Sequence, residues 1–389
     1  MLEIISCLLS ALVIAFALIP EIIKIANVHD YHDQPNERKL HKTKIPRFGG
    51  IAIFGGFIIS ALGWSFVKDQ FVNIQYLAVA LIMVAGIGFR DDFIALRPSV
   101  KLLVETLACI LVMLLGDIRF TSLHGFLGIY EVHWFIGGLI TLFTVIVITN
   151  AFNLIDGIDG LAGTTGLLVF LFFGVWFYAN HDEVKAIIAF SLVGSIVGFL
   201  YYNYRTKIFM GDGGSLLLGF TAAVLMISFI NQNAQLPTAN ALKFSSPVGL
   251  VSALLVFPLF DTLRVFIIRI LSGRSPFSPD RNHIHHLLLN LGLSHLRSTA
   301  AIASCNVGFV VLATLLDGVS DNLLVPVVVL LAFLITSLLN NRNLRNATPI
   351  TANQQAGSKP NSTQAPIKTV RKFEEKIVHN ILEGETLKP

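Results

Sequence analysis

Asn150-Ala-Phe-Asn-Leu-Ile-Asp-Gly-Ile-Asp-Gly-Leu161 sets two amides, two carboxylates and two glycines between the apolar runs 133–150 and 161–180. Each run is long enough to cross a bilayer, so the polar segment between them belongs at a membrane edge. A centrally placed Asp costs about 2.5–3.5 kcal/mol on insertion scales. Acids held against such runs therefore mark a functional site. The same pattern recurs at Asp91-Asp92 and at Asp212.

Further apolar runs lie at 2–23, 46–67, 74–90, 100–116, 184–202, 213–230, 248–271, 299–316 and 322–340. With the first two they make about eleven spans, an all-α polytopic membrane bundle. Composition agrees: 54% of the 389 residues are apolar and only 13% charged, which excludes an ordinary soluble domain. An odd number of spans puts the termini on opposite sides. The loops on the side that follows the first span carry sixteen Lys and Arg, those on the other side four. By the positive-inside rule the basic side is cytosolic, with the N-terminus outside and the C-terminus inside. Residues 1–20 lack a basic leader and a small-residue cleavage site, so they read as the first membrane helix and not as a signal peptide. The three cysteines, Cys7, Cys109 and Cys305, lie far apart in apolar runs and suggest neither a disulfide framework nor a metal site. Residues 1–345 read as one membrane domain and 346–389 as a cytosolic tail. Polar residues up to 367 suggest a flexible linker, and Val370, Phe373, Ile377 and Ile381 an amphipathic helix over 368–384.

This topology gathers every polar cluster on one face. Asp91-Asp92 is a carboxylate pair suited to sharing a proton or a divalent cation, although Ala95 stands where a third acid of a DDxxD pattern would be. Asn153, Asp156 and Asp159 share one helical face if the segment continues as helix, and Gly157 and Gly160 leave room for a bulky ligand. Phe209-Met-Gly-Asp-Gly-Gly-Ser215 reads as a glycine-rich loop whose N–H groups meet phosphate, with Asp212 as a hard ligand for Mg²⁺. Arg281, His283, His285 and His286 suit an anion clamp. Zinc is the competing reading of the histidines, without a cysteine nearby. The basic segment from Asp33 to Gly50 includes Lys42 and Arg47. Asp261 and Arg264, three residues apart within one run, read as a mutual ion pair.

Together the segments Asn150–Leu161, Phe209–Ser215 and Ser275–His286 resemble the polyprenyl-phosphate N-acetylhexosamine-1-phosphate transferase superfamily, over about Asp33 to Gly292. The His-Ile-His-His sequence at 283–286 is similar to its WecA-like branch; the MraY-like branch carries three consecutive histidines. The resemblance implies transfer of a sugar 1-phosphate, GlcNAc by default, from a UDP-sugar to a membrane polyprenyl phosphate, with Mg²⁺ or Mn²⁺ as cofactor. It implies Asp212 as the principal metal ligand, assisted by Asn153 or Asp92, and Asp91 as the base, with a covalent Asp nucleophile as the alternative. Asp156 would orient substrate or metal, and Asp159, beside Gly157, would read the uracil. Arg281, His283, His285 and His286 would hold pyrophosphate and sugar, and Lys42 and Arg47 a phosphate. Membrane lipid is the expected surrounding, nucleic acid is not an expected partner, and a homodimer is left open. A MurNAc-pentapeptide transferase, a lipid or sugar transporter and a silent scaffold are the alternatives. A transporter would spread polar groups through the membrane depth.

Overall fold

The computed structural model describes residues 2–31, 45–68, 71–205, 207–273 and 282–346. Lys42, Arg281 and the 368–384 helix lie outside the described residues. The helices are α1 (Leu2–Val28), α2 (Gly49–Val67), α3 (Phe71–Phe93), α4 (Pro98–Leu115), α5 (Trp134–Ile155), α6 (Leu161–Ala179), α7 (Glu183–Asn203), α8 (Asp212–Gln235), α9 (Pro247–Leu254), α10 (Val256–Leu271), α11 (Ile284–Asn290), α12 (His295–Leu315) and α13 (Asp321–Asn346). Ten of them are long and apolar enough to cross a membrane, and α9 with α10 would make an eleventh if the bent pair is one span.

The bundle is built around α8, whose whole apolar window is buried against α2, α3, α5 and α6. Several of its contacts are backbone on backbone, two of them at its start. A Cβ added to Gly50 would lie 2.3 Å from the Gly214 nitrogen, and one added to Gly88 would lie 2.5 Å from the Gly213 Cα. Small residues permit such approach where lipid tails offer no hydrophobic drive for helices to associate. Here they bring the ends of α2 and α3 against the start of α8. A short clip completes the join: Phe209 N–H donates to the Pro46 carbonyl, Gly49 N–H to that of Phe209 and Gly50 N–H to that of Met210. Deeper in the bundle, α1, α2 and α7 share hydrogen bonds. Cys7 Sγ and Ser191 Oγ are 2.8 Å apart, and Ser60 Oγ donates to the Cys7 carbonyl at 2.7 Å. Outer helices keep apolar side chains facing outward, such as Leu103, Leu107 and Leu114 on α4, as a lipid-facing surface requires.

The run 248–271, expected as one straight span, is broken: α9 and α10 meet at 75°. Pro258 supplies the cause. It has no N–H for the carbonyl four residues back, and its ring crowds that carbonyl. That carbonyl belongs to Leu254, and Asn306 on α12 donates to it at 3.2 Å. A neighbouring helix thus satisfies what the proline leaves open. Asn306→Leu should lower stability by about 1–3 kcal/mol, the cost of a stranded buried acceptor, read as a lower unfolding midpoint in detergent. An unchanged midpoint would show that the bond contributes nothing.

Candidate active site

The one-face reading of the Asn153–Asp159 stripe is corrected by the structure. Helix α5 stops at Ile155, and Asp156 is its C-cap, as the following Asp-Gly turn signals favour. Residues at spacing three therefore reach different partners. Asn150 Nδ2 donates to Glu105 Oε2 of α4 at 2.8 Å, and Asn153 Nδ2 to Ser215 Oγ of α8 at 2.9 Å. Asp156 lies close to the Gly211 N–H. Asp159 Oδ2 pairs with His295 Nδ1 of α12 at 3.0 Å, and its carbonyl accepts from Thr299 Oγ1 at 2.9 Å. The segment works as a junction box joining α4, α8 and α12 at one end of the bundle.

The glycine-rich loop differs from expectation too. Its N–H groups do not await a phosphate. Asp92 Oδ1 takes that of Asp212 at 2.8 Å, and Asp92 Oδ2 takes that of Gly213 at 3.1 Å. Gly211 has φ +78, and a Cβ there would lie 2.7 Å from both Asp92 oxygens, so only glycine turns this corner. Asp92, 6% exposed, caps α8 across the helix gap. Asp92→Ala would strand two of these donors and should cost about 2–4 kcal/mol of stability as well as activity, read as a lower unfolding midpoint. A full midpoint with activity lost would make Asp92 purely chemical.

Freed from capping, Asp212 turns its carboxylate outward. Lys101 Nζ of α4 lies 2.7 Å from Asp212 Oδ2 and 3.2 Å from Asp91 Oδ2. Asp91 Oδ1 is held by the Leu96 N–H at 2.6 Å. Two hard oxygens from α3 and α8 thus face one cation, the ammonium. That donor set suits Mg²⁺, which binds through one or two carboxylates together with phosphate oxygens. Asn153, whose amide nitrogen is engaged by Ser215, has its carbonyl oxygen as a further hard donor. Among the described residues no group of three or more His, Cys, Asp or Glu is arranged to hold a metal. The zinc reading of the histidines therefore finds no ligand set there.

The histidines reach the same end of the bundle. A Cβ on Gly157 would lie 2.5 Å from His285 Nε2, so the missing side chain admits that ring. His283 and His285 stack at 5.6 Å between centroids with planes 8° apart, and His286 lies 4.4 Å beyond His285. Burial, with His286 beside it, holds His285 down at about 3, so its ring is neutral at physiological pH and brings no positive charge to an anion. Asp261 and Arg264 do pair, at 3.3 Å, yet the mutual-pair reading is too narrow. Asp261 also binds His283 Nδ1 at 2.9 Å and the Ile284 N–H at 3.0 Å. Arg47 is exposed beside the clip, its carbonyl 2.4 Å from where a Gly211 Cβ would lie.

Asp156 shows what this crowding does. Burial, then the charges of Asp212, Asp92 and Asp159, push it up to about 8. At neutral pH the folded protein keeps that proton, whereas an unfolded chain releases it near pH 4. Stability must therefore fall as pH rises from roughly 4 to 8. Asp156→Asn should flatten this slope, read as unfolding midpoints at pH 5 and pH 8 without divalent cation. An equal slope in both proteins would refute the crowding.

Several partners escape a reading along the chain. Lys101 counts there only as a loop charge. Glu105, fully buried, hides within an apolar run. His295 and Asn203, whose Oδ1 accepts the Gly160 N–H at 2.6 Å, carry no motif. The one available signal is that Lys101 and Glu105 stand four apart on one helix face beside the acid pair. A separate cavity of about 520 Å³ lies at the other end of the bundle, lined by Tyr76, Val112, His181 and Lys185 among others. It contains none of the candidate residues, and its Lys185 is paired with Asp182 at 2.5 Å.

The fold and site define a polytopic membrane protein with acids and a lysine gathered at one edge. The model of glycosyl transferase family 4 matches residues 74–230, which hold both acid clusters and Asp212. The chain is 32% identical over 271 residues to the undecaprenyl-phosphate alpha-N-acetylglucosaminyl 1-phosphate transferase of Yersinia pestis, covering 67% of this chain and 70% of that one. It is 30% identical over 304 residues to a probable undecaprenyl-phosphate N-acetylglucosaminyl 1-phosphate transferase of Bacillus subtilis, covering 78% and 82%. It is 34% identical over 286 residues to the decaprenyl-phosphate N-acetylglucosaminephosphotransferase of Mycobacterium leprae, covering 68% and 71%. The chain belongs to glycosyl transferase family 4.

Proposed function

We propose that this protein transfers N-acetylglucosamine 1-phosphate from a UDP-sugar to a polyprenyl phosphate, giving polyprenyl-diphospho-N-acetylglucosamine and UMP. The observation that carries this is the convergence of Asp91 and Asp212, from α3 and α8, on Lys101 of α4 at a membrane edge. The names of the relatives support the acceptor and the sugar. A polyprenyl tail is confined to the bilayer and a nucleotide sugar to water, so the two meet only at such an edge. The excess of Lys and Arg in the loops on this side supports a cytosolic site in a bacterial cytoplasmic membrane.

In this reading an oxygen of the lipid phosphate attacks the β-phosphorus of the UDP-sugar. The bond from that phosphorus to the bridging oxygen breaks, and UMP leaves. Asp91 Oδ2, 3.2 Å from Lys101 Nζ, takes the proton of the lipid phosphate. Lys101 then offers its charge to the phosphate oxygens, where charge stabilisation does most of the catalytic work. Asp212 and the Asn153 carbonyl would hold Mg²⁺, or Mn²⁺ in its place. When bound, that ion supplies further neutralisation of the pyrophosphate. Asp92 keeps Asp212 in register from below, and the neutral His285 closes the wall at Gly157. A transporter is disfavoured because Cys7, Ser60 and Ser191 bond one another across α1, α2 and α7.

The test incubates membranes carrying the protein with polyprenyl phosphate, Mg²⁺ and a panel of radiolabelled UDP-sugars. Labelled lipid with UMP release from UDP-N-acetylglucosamine is expected. Label arriving only from UDP-MurNAc-pentapeptide, or none from any donor, would overturn the reading.

A further inference from the structure

Asp261 is 2% exposed on α10, in the half-span that the Pro258 bend swings aside. The reaction just described makes no use of it, and a buried acid in a membrane helix is costly to keep. Three donors converge on its two oxygens: His283 Nδ1 at 2.9 Å on Oδ2, and the Ile284 N–H at 3.0 Å with the Arg264 guanidinium at 3.3 Å on Oδ1. Arg264 also donates to the Asn282 carbonyl. The Asp261–Arg264 pair therefore grips the backbone on both sides of His283 as well as its ring.

This geometry has a chemical consequence. A carboxylate only accepts hydrogen bonds, so the His283 proton must sit on Nδ1. The ring nitrogen left for other work is Nε2, as an acceptor. A partner on one nitrogen fixing the tautomer and orientation of the other is a general property of imidazole, and a buried carboxylate does the same for the histidine of serine proteases. Here the oriented ring stacks on His285, which in turn abuts Gly157. A stacked path thus runs from Asp261 to the loop that carries Asp156 and Asp159.

We propose that Asp261 is a positioning residue for sugar-phosphate transfer: it acts through His283, fixing the ring as its Nδ1–H tautomer so that Nε2 is offered to the substrate-bearing end of the bundle. The proposal rests on the transferase reading above. It adds to that reading a residue outside the acid clusters, from the bent α9–α10 pair.

The experiment is a double-mutant cycle in the full-length protein, read as UMP release per folded molecule at saturating substrates. Asp261→Asn keeps the shape but presents an amide, and should lower turnover by about 10- to 100-fold, the usual range for partners that orient a functional histidine. His283→Gln should lower it comparably. The pair together should be no slower than His283→Gln alone, within about twofold, because residues acting as one unit do not add. Losses that multiply would overturn the proposal, since a merely structural Asp261 would act independently of the ring. Should Asp261→Asn fail to fold, the wild-type protein decides. ¹⁵N-histidine NMR in lipid nanodiscs, with His283 assigned by its loss in His283→Gln, should show the Nδ1–H form, and an Nε2–H form would overturn the proposal. A wild-type protein that labels no lipid from any UDP-sugar would instead refute the transferase reading, while the tautomer would still be measured.

Discussion

Asp212→Ala should cut UMP release roughly 10³-fold while leaving the unfolding midpoint of the purified protein almost unchanged. The two effects separate because Asp212 does two jobs with different atoms. Its backbone N–H starts α8 and is bound by Asp92, and alanine keeps that N–H. Its carboxylate faces Lys101 at 2.7 Å and is lost. The remaining Asp91 contact, at 3.2 Å, leaves a single acid at the cation position. Removing one preorganised group that stabilises developing charge costs about 10²–10³ in turnover, and here the variant loses both its metal ligand and the anchor of Lys101. Turnover within tenfold of wild type would refute the role given to Asp212. A large drop in midpoint would show that the carboxylate is structural.

Gly50→Ala is expected to be among the most damaging single methyls in the bundle. The added carbon would lie 2.3 Å from the Gly214 nitrogen and 2.7 Å from its Cα, and neither atom can rotate away. Relief requires α2 to separate from α8, which strains the clip through Phe209 and Met210. Overpacking typically costs about 1–3 kcal/mol and occasionally more; against backbone the upper end applies. Activity should fall further than stability, because the same movement carries the start of α8, and with it Asp212, away from Lys101. Gly63→Ala is the control, since a Cβ there meets nothing within 4 Å. Equal behaviour of the two variants would contradict the close approach.

Much of this architecture is legible along the chain because a bilayer imposes a length. Apolar runs of the right size mark each span, and the side carrying the acid clusters follows from counting crossings. The bend was not legible. Pro258 is visible in the sequence, but a proline within an apolar run is as compatible with a kinked helix as with a broken one, and Asn306, the group that makes the break tolerable, lies some fifty residues on. The site is legible in its acids and not in their assignments. Asp91, Asp92, Asp156 and Asp212 are the same residue type, and nothing local says which will cap a helix and which will face outward. That division depends on how Gly50, Gly88 and Gly211 let three segments close. Lys101 and His295 escape for the same reason, as each gains its meaning from an acid on a distant segment.

The most direct test of the converging site is an electron paramagnetic resonance titration of the purified protein with Mn²⁺ in the presence of UMP. One bound ion per chain is expected, with binding lost in Asp212→Asn and retained in Asn306→Leu. Undiminished Mn²⁺ binding by the Asp212→Asn protein would contradict the account, because the carboxylate that meets Asp91 across Lys101 would then not be where the cation sits.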